Sequence, residues 1–594
     1  MIIQPIIFPK KENLSTDMLY FQSYGDVSFD TNTQHLIFQE NAQISFNSYF
    51  NSFSLNKWKE YTTLDNLFLQ VTYQGNFSLS IFTRDLKDKL VFEQTQQQIN
   101  LSSPVKDSME IVLPELDHDM VFFTLKALDD QSVFFEGGYC SQISEKNMTP
   151  TNICVVICTY KREEYIKKNI RILKKYILEN RESLLHKHLS VFIVDNGKTL
   201  EQFQFGDDRI RIIPNKNAGG SGGFTRGLIE AMEDQQSFSH VLFMDDDTTI
   251  EPASLERTYT FLRFRQKQYK DIFIGGSMLN ILKPTIQEEA GASWNGGMLV
   301  SFKKGIDLSS SYDLLYNETK DDYEYNAWFY CCIPLSVVSQ KNLPLPIFIR
   351  GDDIEYGLRN IKNLVLLNGI CIWHEPFELK YSSFLNYYIF RNLLICNALH
   401  YTGKSKLFFL KIVYKRIIKE ILFYKYKEAE LLLDGVEDYY KGIDWLKVQD
   451  PEKLHNEIRK KGYSTQRLEG FDSSYLDSFL RVYSVEKENV FSKLFRIITL
   501  NGYCFKAKHN RIINFGDLRT REFYRAKNIL FYDRRNLQVV ATKKSYRSLF
   551  KIIKRTIKVS LMTLMKYKKT NLEYKKRQGE ITNMGFWKDY LGLK

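Results

Sequence analysis

Thirteen prolines and eight cysteines are few for 594 residues, and no apolar run approaches the ~18 residues of a membrane span. Eight cysteines in so long a chain make no disulfide framework. Cys154 and Cys158 share one apolar run and Cys331 and Cys332 are adjacent, a spacing that suits no structural zinc, so they read as small buried hydrophobes. The opening stretch, broken by Pro5 and Pro9, does not resemble a secretory signal. These absences predict a cytoplasmic protein, peripheral at most on the inner face of the cell membrane. Charge is missing from most of the chain too. Residues 541–594 hold fifteen basic and three acidic side chains, a net +12 that equals the charge of the whole protein. The residues before them are neutral in sum, which excludes a folded body that grips nucleic acid by charge.

What is present divides along the chain, and this length predicts two to four domains. Residues 1–150 read as a small β-sandwich. Leu67, Leu69, Val71 and Tyr73 alternate with polar residues, Gln74-Gly75-Asn76 reads as a turn, and Phe77, Leu79 and Ile81 alternate again. Met120 to Leu125 and Val133 to Phe135 predict further strands, ending at Gly137-Gly138. Residues 151–395 change character. Buried-strand runs at 153–158, 189–194, 210–213 and 241–244 alternate with helical stretches at 163–185 and 225–233, the pattern of a mostly parallel sheet with crossover helices. Residues 396–540 turn helical, to about Leu480, and are mixed beyond. The basic tail, 541–594, is amphipathic on a helix. Leu549, Phe550, Ile553, Ile557, Leu561 and Leu564 share one face, with Lys551, Lys554, Arg555 and Lys558 beside it. Such a helix suits the interface of an anionic membrane; packing on the preceding domain is the alternative.

Ligands of parallel sheets bind at the carboxyl ends of the strands, so the residues just after each run matter most. They are Thr159 to Glu163, then Asp195-Asn196-Gly197, then Asn217-Ala218-Gly219-Gly220-Ser221-Gly222-Gly223, then Asp245-Asp246-Asp247. A hydroxyl with a cation, an acid–amide turn, a glycine loop opening a helix and an acidic triplet suit a nucleoside diphosphate. Asp195 can accept from a base N–H, the glycines admit backbone to the ligand, and a helix start offers N–H groups. Clustered carboxylates call for a hard cation, Mg²⁺ or Mn²⁺. The glycine loop is neither a P-loop nor a tight dinucleotide fingerprint. Downstream lie Glu288-Glu289 ahead of Trp294, Tyr325 to Tyr330 around Trp328, Asp352-Asp353 and Trp373-His374. The aromatics read equally as sugar platforms or as core, and His374 as a metal ligand or a structural histidine.

In order and spacing these motifs resemble family 2 glycosyltransferases of the GT-A fold, and the fuller set resembles the bacterial galactofuranosyltransferases. The resemblance implies a GT-A (Rossmann-like) α/β domain with a β-sandwich ahead of it and helices behind. It implies an inverting transfer of galactofuranose from UDP-galactofuranose to a hydroxyl of a glycan or lipid-linked acceptor. Asp245, Asp247 and His374 match the metal ligands, and Asp353 the catalytic base. Asp352, Trp328 and Glu289 match the acceptor side, and Thr159, Arg162, Asp195, Asn217 and Asp246 the nucleotide-sugar side. Gly351 departs from the family, standing where an aromatic residue precedes the acid pair. Another nucleotide sugar, such as a rhamnosyl donor, remains an alternative. So do a haloacid-dehalogenase-like phosphatase, from Asp245-x-Asp247-x-Thr249, and a non-catalytic carbohydrate-binding protein. A homo-oligomer is left open.

Overall fold

A computed structural model describes residues 1–10, 16–113, 117–143, 148–200, 203, 205–376, 381–401, 403, 405–467, 479–481, 488–515, 518–533 and 537–593. The N-terminal strands join into one antiparallel nine-stranded sheet. The expected turn at Gln74-Gly75-Asn76 is not a turn. A single strand runs Phe68–Lys87, and the chain reverses only at Asp88 and Lys89 to return as Leu90–Val112. Gly75 instead holds a left-handed backbone (φ 99°) where the register shifts, and the strand changes partner there from Ser132–Cys140 to Met120–Ala127. Gly137 and Gly138 likewise continue their strand rather than end it, because a Cβ on either would strike a neighbouring strand.

The second sheet carries the chemistry. Seven of its nine strands are β1 (Ile153–Thr159), β2 (Leu189–Asp195), β3 (Ile210–Pro214), β4 (His240–Asp245), β5 (Phe273–Asn280), β6 (Tyr330–Pro334) and β7 (Leu364–His374). In space they run β3-β2-β1-β4-β6-β5-β7. β1, β2, β3 and β4 pair in parallel, and β6 inserts antiparallel beside β4. The four sequence-predicted strands are thus adjacent, and the runs of β1, β2 and β4 are largely buried, whereas β3, at the sheet's edge, leaves Arg211 exposed and Ile212 half-buried. Crossover helices α1 (Glu163–Leu173) and α2 (Gly219–Glu233) follow β1 and β3, α2 beginning at the glycines rather than at Thr225. The shorter α3 (Asp352–Asn360) precedes β7. The N-terminal sheet shares a core with this domain, and Lys10 and Tyr20 reach Glu251, four residues past the acidic triplet, at 2.6 and 3.0 Å.

Behind lie α4 (Leu385–His400), α5 (Lys406–Leu422) and α6 (Tyr426–Tyr439). The helical region ends earlier than expected, at Lys461. Short strands between 466 and 543 then form a five-stranded sheet that includes Leu480. Its period is hidden because most of its strands are only two to six residues long. The strongly amphipathic α7 (Val490–Ile498) falls within this stretch. The basic end is no free tail. The 32-residue α8 (Tyr546–Arg577) buries Ile552, Val559, Tyr567 and Tyr574 against the helical domain, and α9 (Met584–Leu591) returns to the catalytic domain. The face of α8 that seals the core therefore differs from the predicted apolar stripe, of which Phe550, Ile553, Ile557, Leu561 and Leu564 stay exposed. Lys551, Arg555 and Lys558 pair with acids of α6.

Candidate active site

Parallel register brings the strand-end residues level. Thr159 lies opposite Asp195, and Cys158 opposite Asp245, so three motifs open on one edge of the sheet. His374 ends β7, which pairs with β5 so that it lies level with Asn280. Its Nε2 stands 3.2 Å from Asp247 Oδ1. Asp245 and Asp247 keep partial contact with solvent, whereas Asp246 and His374 are buried. Burial, and then the charge of Asp247, pushes Asp245 up to about 7.

Asp246 is engaged within the protein. It accepts from Thr159 Oγ1 at 2.8 Å and from Arg162 Nη1 at 2.7 Å, and Arg162 also reaches Asp247 at 2.9 Å. Asn169 of α1 donates to its main-chain carbonyl at 2.9 Å. Thr159, Arg162 and Asp246 therefore form one braced unit. Asp195 is sealed as well. Its carboxylate accepts the backbone N–H groups of Gly197, Thr199 and Leu200 at 2.7–2.9 Å. That network shapes the loop after β2, so the structure gives Asp195 a place in the wall of the site rather than at its surface.

The glycine loop corrects a second expectation. Its first N–H groups are not all open to a ligand. Ser221 donates from its main chain to Phe348 O at 3.1 Å, and its hydroxyl donates to Leu345 O. A Cβ on Gly219 (φ 71°) would lie 2.2 Å from Phe348 O, and one on Gly223 would lie 2.1 Å from Cys158 Sγ. The glycines let α2 press against β1 and against residues 345–351. Asn217 caps this turn by accepting from Gly219 N at 3.2 Å.

Residues 345–351 lead into the second acid pair, and their backbone is forced. Phe348, Arg350 and Gly351 all have left-handed φ, at 74°, 64° and 97°. Gly351 thus stands where an L side chain is disfavoured. Buried Asn392 of α4 holds the loop, donating to the carbonyls of Ile349 and Arg350 at 2.9 and 2.7 Å. Asp352 turns inward toward Gly220, where burial and then Asp353 push its carboxyl well above the usual range. Asp353 keeps some exposure. It accepts from Tyr325 Oη at 3.0 Å and from the N–H of Ile354 at 2.8 Å, and burial raises its pKa. Glu289 also neighbours Tyr325, and burial and then Asp353 push it up to about 7.

Trp328 is not on the acceptor surface. It is 5% exposed, with Phe224, Phe243 and Tyr356 edge-on around it at 4.9–6.1 Å, so it belongs to the core. The sequence reading missed Tyr325 and Asn392 as partners of the acid pair. An isolated tyrosine and asparagine give no periodic signal, and only the fold brings them there.

The acids are crowded enough to favour a cation, but among the described residues no three His, Cys, Asp or Glu side chains make a ready metal cage. The donor set still fits a hard ion of the kind held by one or two carboxylates, with other positions filled by diphosphate and water.

The family model "Glycosyl transferase family 2" matches residues 154–296, the stretch carrying the first four strand-end motifs, and "Galactofuranosyltransferase 2 N-terminal" matches residues 3–142. Galactofuranosyltransferase GlfT2 of Mycolicibacterium smegmatis is 27% identical over 429 residues, 68% of this chain and 64% of that protein. Its Mycobacterium tuberculosis counterpart is 26% identical over 432 residues, 68% and 66%. The matched stretch covers less than two thirds of either relative's length. A solved mannosyltransferase from Pyrobaculum calidifontis, in complex with GDP-Man and Mn²⁺, aligns over 54% of this chain and 87% of that one at 9% identity. Its TM-score of 0.28 is too low to carry an argument. The family match takes the acidic triplet out of the phosphatase reading. With one match on the acid-bearing strand ends and the other on the sheet ahead of them, the chain is similar to galactofuranosyltransferases of glycosyltransferase family 2.

Proposed function

We propose that this enzyme transfers galactofuranose from UDP-galactofuranose to a hydroxyl of a glycan or lipid-linked acceptor, with inversion and with a divalent cation. The observation that carries the reading is the nearness of two acid pairs, one at a strand end and one at a helix start. Asp247 lies beside His374, Asp245 feels the charges of His374 and Asp353, and Asp353 is held by Tyr325 and stays partly exposed.

Asp245, Asp247 and His374 would hold Mg²⁺ or Mn²⁺, which when bound neutralises charge on the departing diphosphate. Arg162, braced by Asp246, is the nearby fixed cation, and Thr159, Asp195 and Asn217 shape the nucleotide side. Asp353 Oδ takes the proton of the acceptor hydroxyl as the hydroxyl oxygen bonds the anomeric carbon. The bond to UDP breaks on the opposite face, and its electron pair leaves with UDP. A raised pKa makes Asp353 a stronger base. Asp352, sealed beside it and favouring its protonated form, lets Asp353 carry the pair's charge. Glu289, close enough to Asp353 and Tyr325 to interact with both, suits a hydroxyl of the incoming acceptor.

A membrane-facing role fits the far end of the molecule. The outer stripe of α8 and the apolar face of α7, where Phe491 is 86% exposed, lie in a basic part of the chain. No helix among the described residues is long and apolar enough to cross a membrane. The reading is therefore an enzyme resting on an anionic surface that carries its acceptor.

The test is UDP release across a panel of nucleotide sugars with a galactofuranose-bearing acceptor. UDP-galactofuranose should be consumed fastest. Turnover of another sugar nucleotide alone would reassign the donor, and release from none would favour a carbohydrate-binding protein.

A further inference from the structure

The last helix, α9, lies against both loops that build the site. Buried Trp587 donates its indole N–H to Pro344 O at 2.9 Å. The chain just ahead of α9 grips the same segment. Leu343 N donates to Thr582 O at 2.8 Å, and Met584 N to Gln340 O at 2.7 Å. Trp587 and Leu591 also cover the first turn of α2, lying 3.8 and 3.6 Å from where a Gly222 Cβ would be. Lys216, one residue before Asn217, donates to Tyr590 O at 3.1 Å.

These contacts meet two loops that are themselves joined. Pro344 opens the segment whose Leu345 and Phe348 carbonyls accept from Ser221, and that segment ends in Asp352-Asp353. Its left-handed residues at 348, 350 and 351 do not favour this path by themselves, so it persists only while its surroundings hold it. On the α4 side Asn392 holds it; at its start the holder is Trp587.

We infer that Trp587 is a positioning residue, and that α9 is a latch setting the acid pair and the α2 glycine turn in their working geometry. The inference rests on the glycosyltransferase reading for its kinetic consequence, but not for the contact itself. The closing helix belongs to the catalytic scaffold although it lies about 230 residues beyond the acid pair in sequence. A displacement of about 1 Å at reacting groups lowers turnover as much as 10²-fold, so an anchor outside the site acts through kcat.

Trp587→Phe keeps an aromatic ring, smaller than the indole, and removes the N–H, leaving the Pro344 carbonyl without that donor. Hydrogen exchange in the full-length variant should quicken about tenfold at Ser221 and Leu343, the loss of one buried hydrogen bond. Exchange at β1 and the thermal midpoint should change little. Turnover should fall with UDP affinity nearly kept, so that kcat drops more than KM rises. Trp587→His, which restores a ring N–H donor, should recover part of the loss. Unchanged exchange at Ser221 and Leu343 overturns the latch, and quickened exchange with wild-type kcat overturns the positioning role. If the wild-type protein turns over no sugar nucleotide, the proposed function falls while the exchange arm still decides the contact. Should Trp587→Phe not fold, Leu591→Ala, which loosens α9 on α2 without touching the indole, is read the same way.

Discussion

The main-chain N–H of Ser221 donates to the carbonyl of Phe348 at 3.1 Å, joining the glycine turn of α2 to the loop that carries Asp352 and Asp353. Two loops more than 120 positions apart in sequence therefore share one hydrogen-bonded seam. Gly219→Ala should break it. The new Cβ would lie 2.2 Å from Phe348 O, on a backbone with φ 71°. Strain of about 1–3 kcal/mol is expected, read as a lower thermal midpoint, together with loss of turnover. A variant as stable and active as wild type would show that the seam yields freely.

Asp195 gives a sharper separation of roles. With three backbone N–H groups on its carboxylate, Asp195→Ala should destabilise the protein by about 2–3 kcal/mol, the range for hydrogen bonds to a charged group. Denaturant unfolding measures that directly. If the variant is stable and only KM for the donor rises, Asp195 touches the nucleotide instead.

Replacing Asp353 by Asn should lower turnover by about 10²–10⁴-fold, the usual worth of a general base, while UDP binding stays close to normal. Titration calorimetry alongside kinetics separates the two. Near-normal turnover would pass the role to Glu289, the next carboxylate at the same tyrosine. Chelator should abolish transfer and Mg²⁺ or Mn²⁺ restore it, and Asp247→Ala should respond to neither.

Much of this site was legible because parallel strands put chemistry at predictable places. Apolar runs such as 153–158 and 241–244 announced β1 and β4, and the polar residues after them are the ones the sheet edge gathers. What stayed hidden depends on tertiary packing. Trp328 has the composition of a sugar platform, but Phe224, Phe243 and Tyr356 enclose it, and no local pattern distinguishes the two settings. Gly75 looked like a turn because a positive-φ glycine marks both turns and bulges, and only the pairing of its neighbours decides. The amphipathy of α8 was visible, yet the helix carries two apolar faces, and the one that packs (Ile552, Val559, Tyr567, Tyr574) was not the one the hydrophobic spacing suggested.

Glu289 makes a prediction about pH. Burial, and then Asp353, lifts it from 4.5 to about 7. The folded state therefore holds the proton more tightly than the unfolded chain. Its contribution to stability is full below about pH 4.5 and is lost as pH rises through about 7. With chelator present, the thermal midpoint of wild type should fall between about pH 5 and pH 8 by more than that of Glu289→Gln. Equal slopes would mean that Glu289 titrates as an ordinary carboxyl.

The exposed stripe of α8 leads to the last prediction. Phe550, Ile557 and Leu561 are 67%, 56% and 55% exposed on a helix whose opposite face is sealed, so this stripe serves no core in the molecule. Residues 541–594 hold an excess of +12 in sequence, of which Lys551, Arg555 and Lys558 pair with acids of α6. An apolar stripe in a positive field suits an anionic lipid surface, each nearby basic side chain adding about 1 kcal/mol before screening. A second copy meeting the same face would bring like charge against like. Removing the segment would be a poor test, because α8 and α9 hold the helical domain and the acid-bearing loops together. Ile557→Glu with Leu561→Glu keeps every buried contact and changes only the stripe. The wild-type protein should sediment with phosphatidylglycerol vesicles at low salt and release at high salt, and the double variant should remain in solution with its turnover on a soluble acceptor intact. Equal sedimentation of the two would move the membrane contact away from α8, and α7 with Phe491 would be the next surface to change.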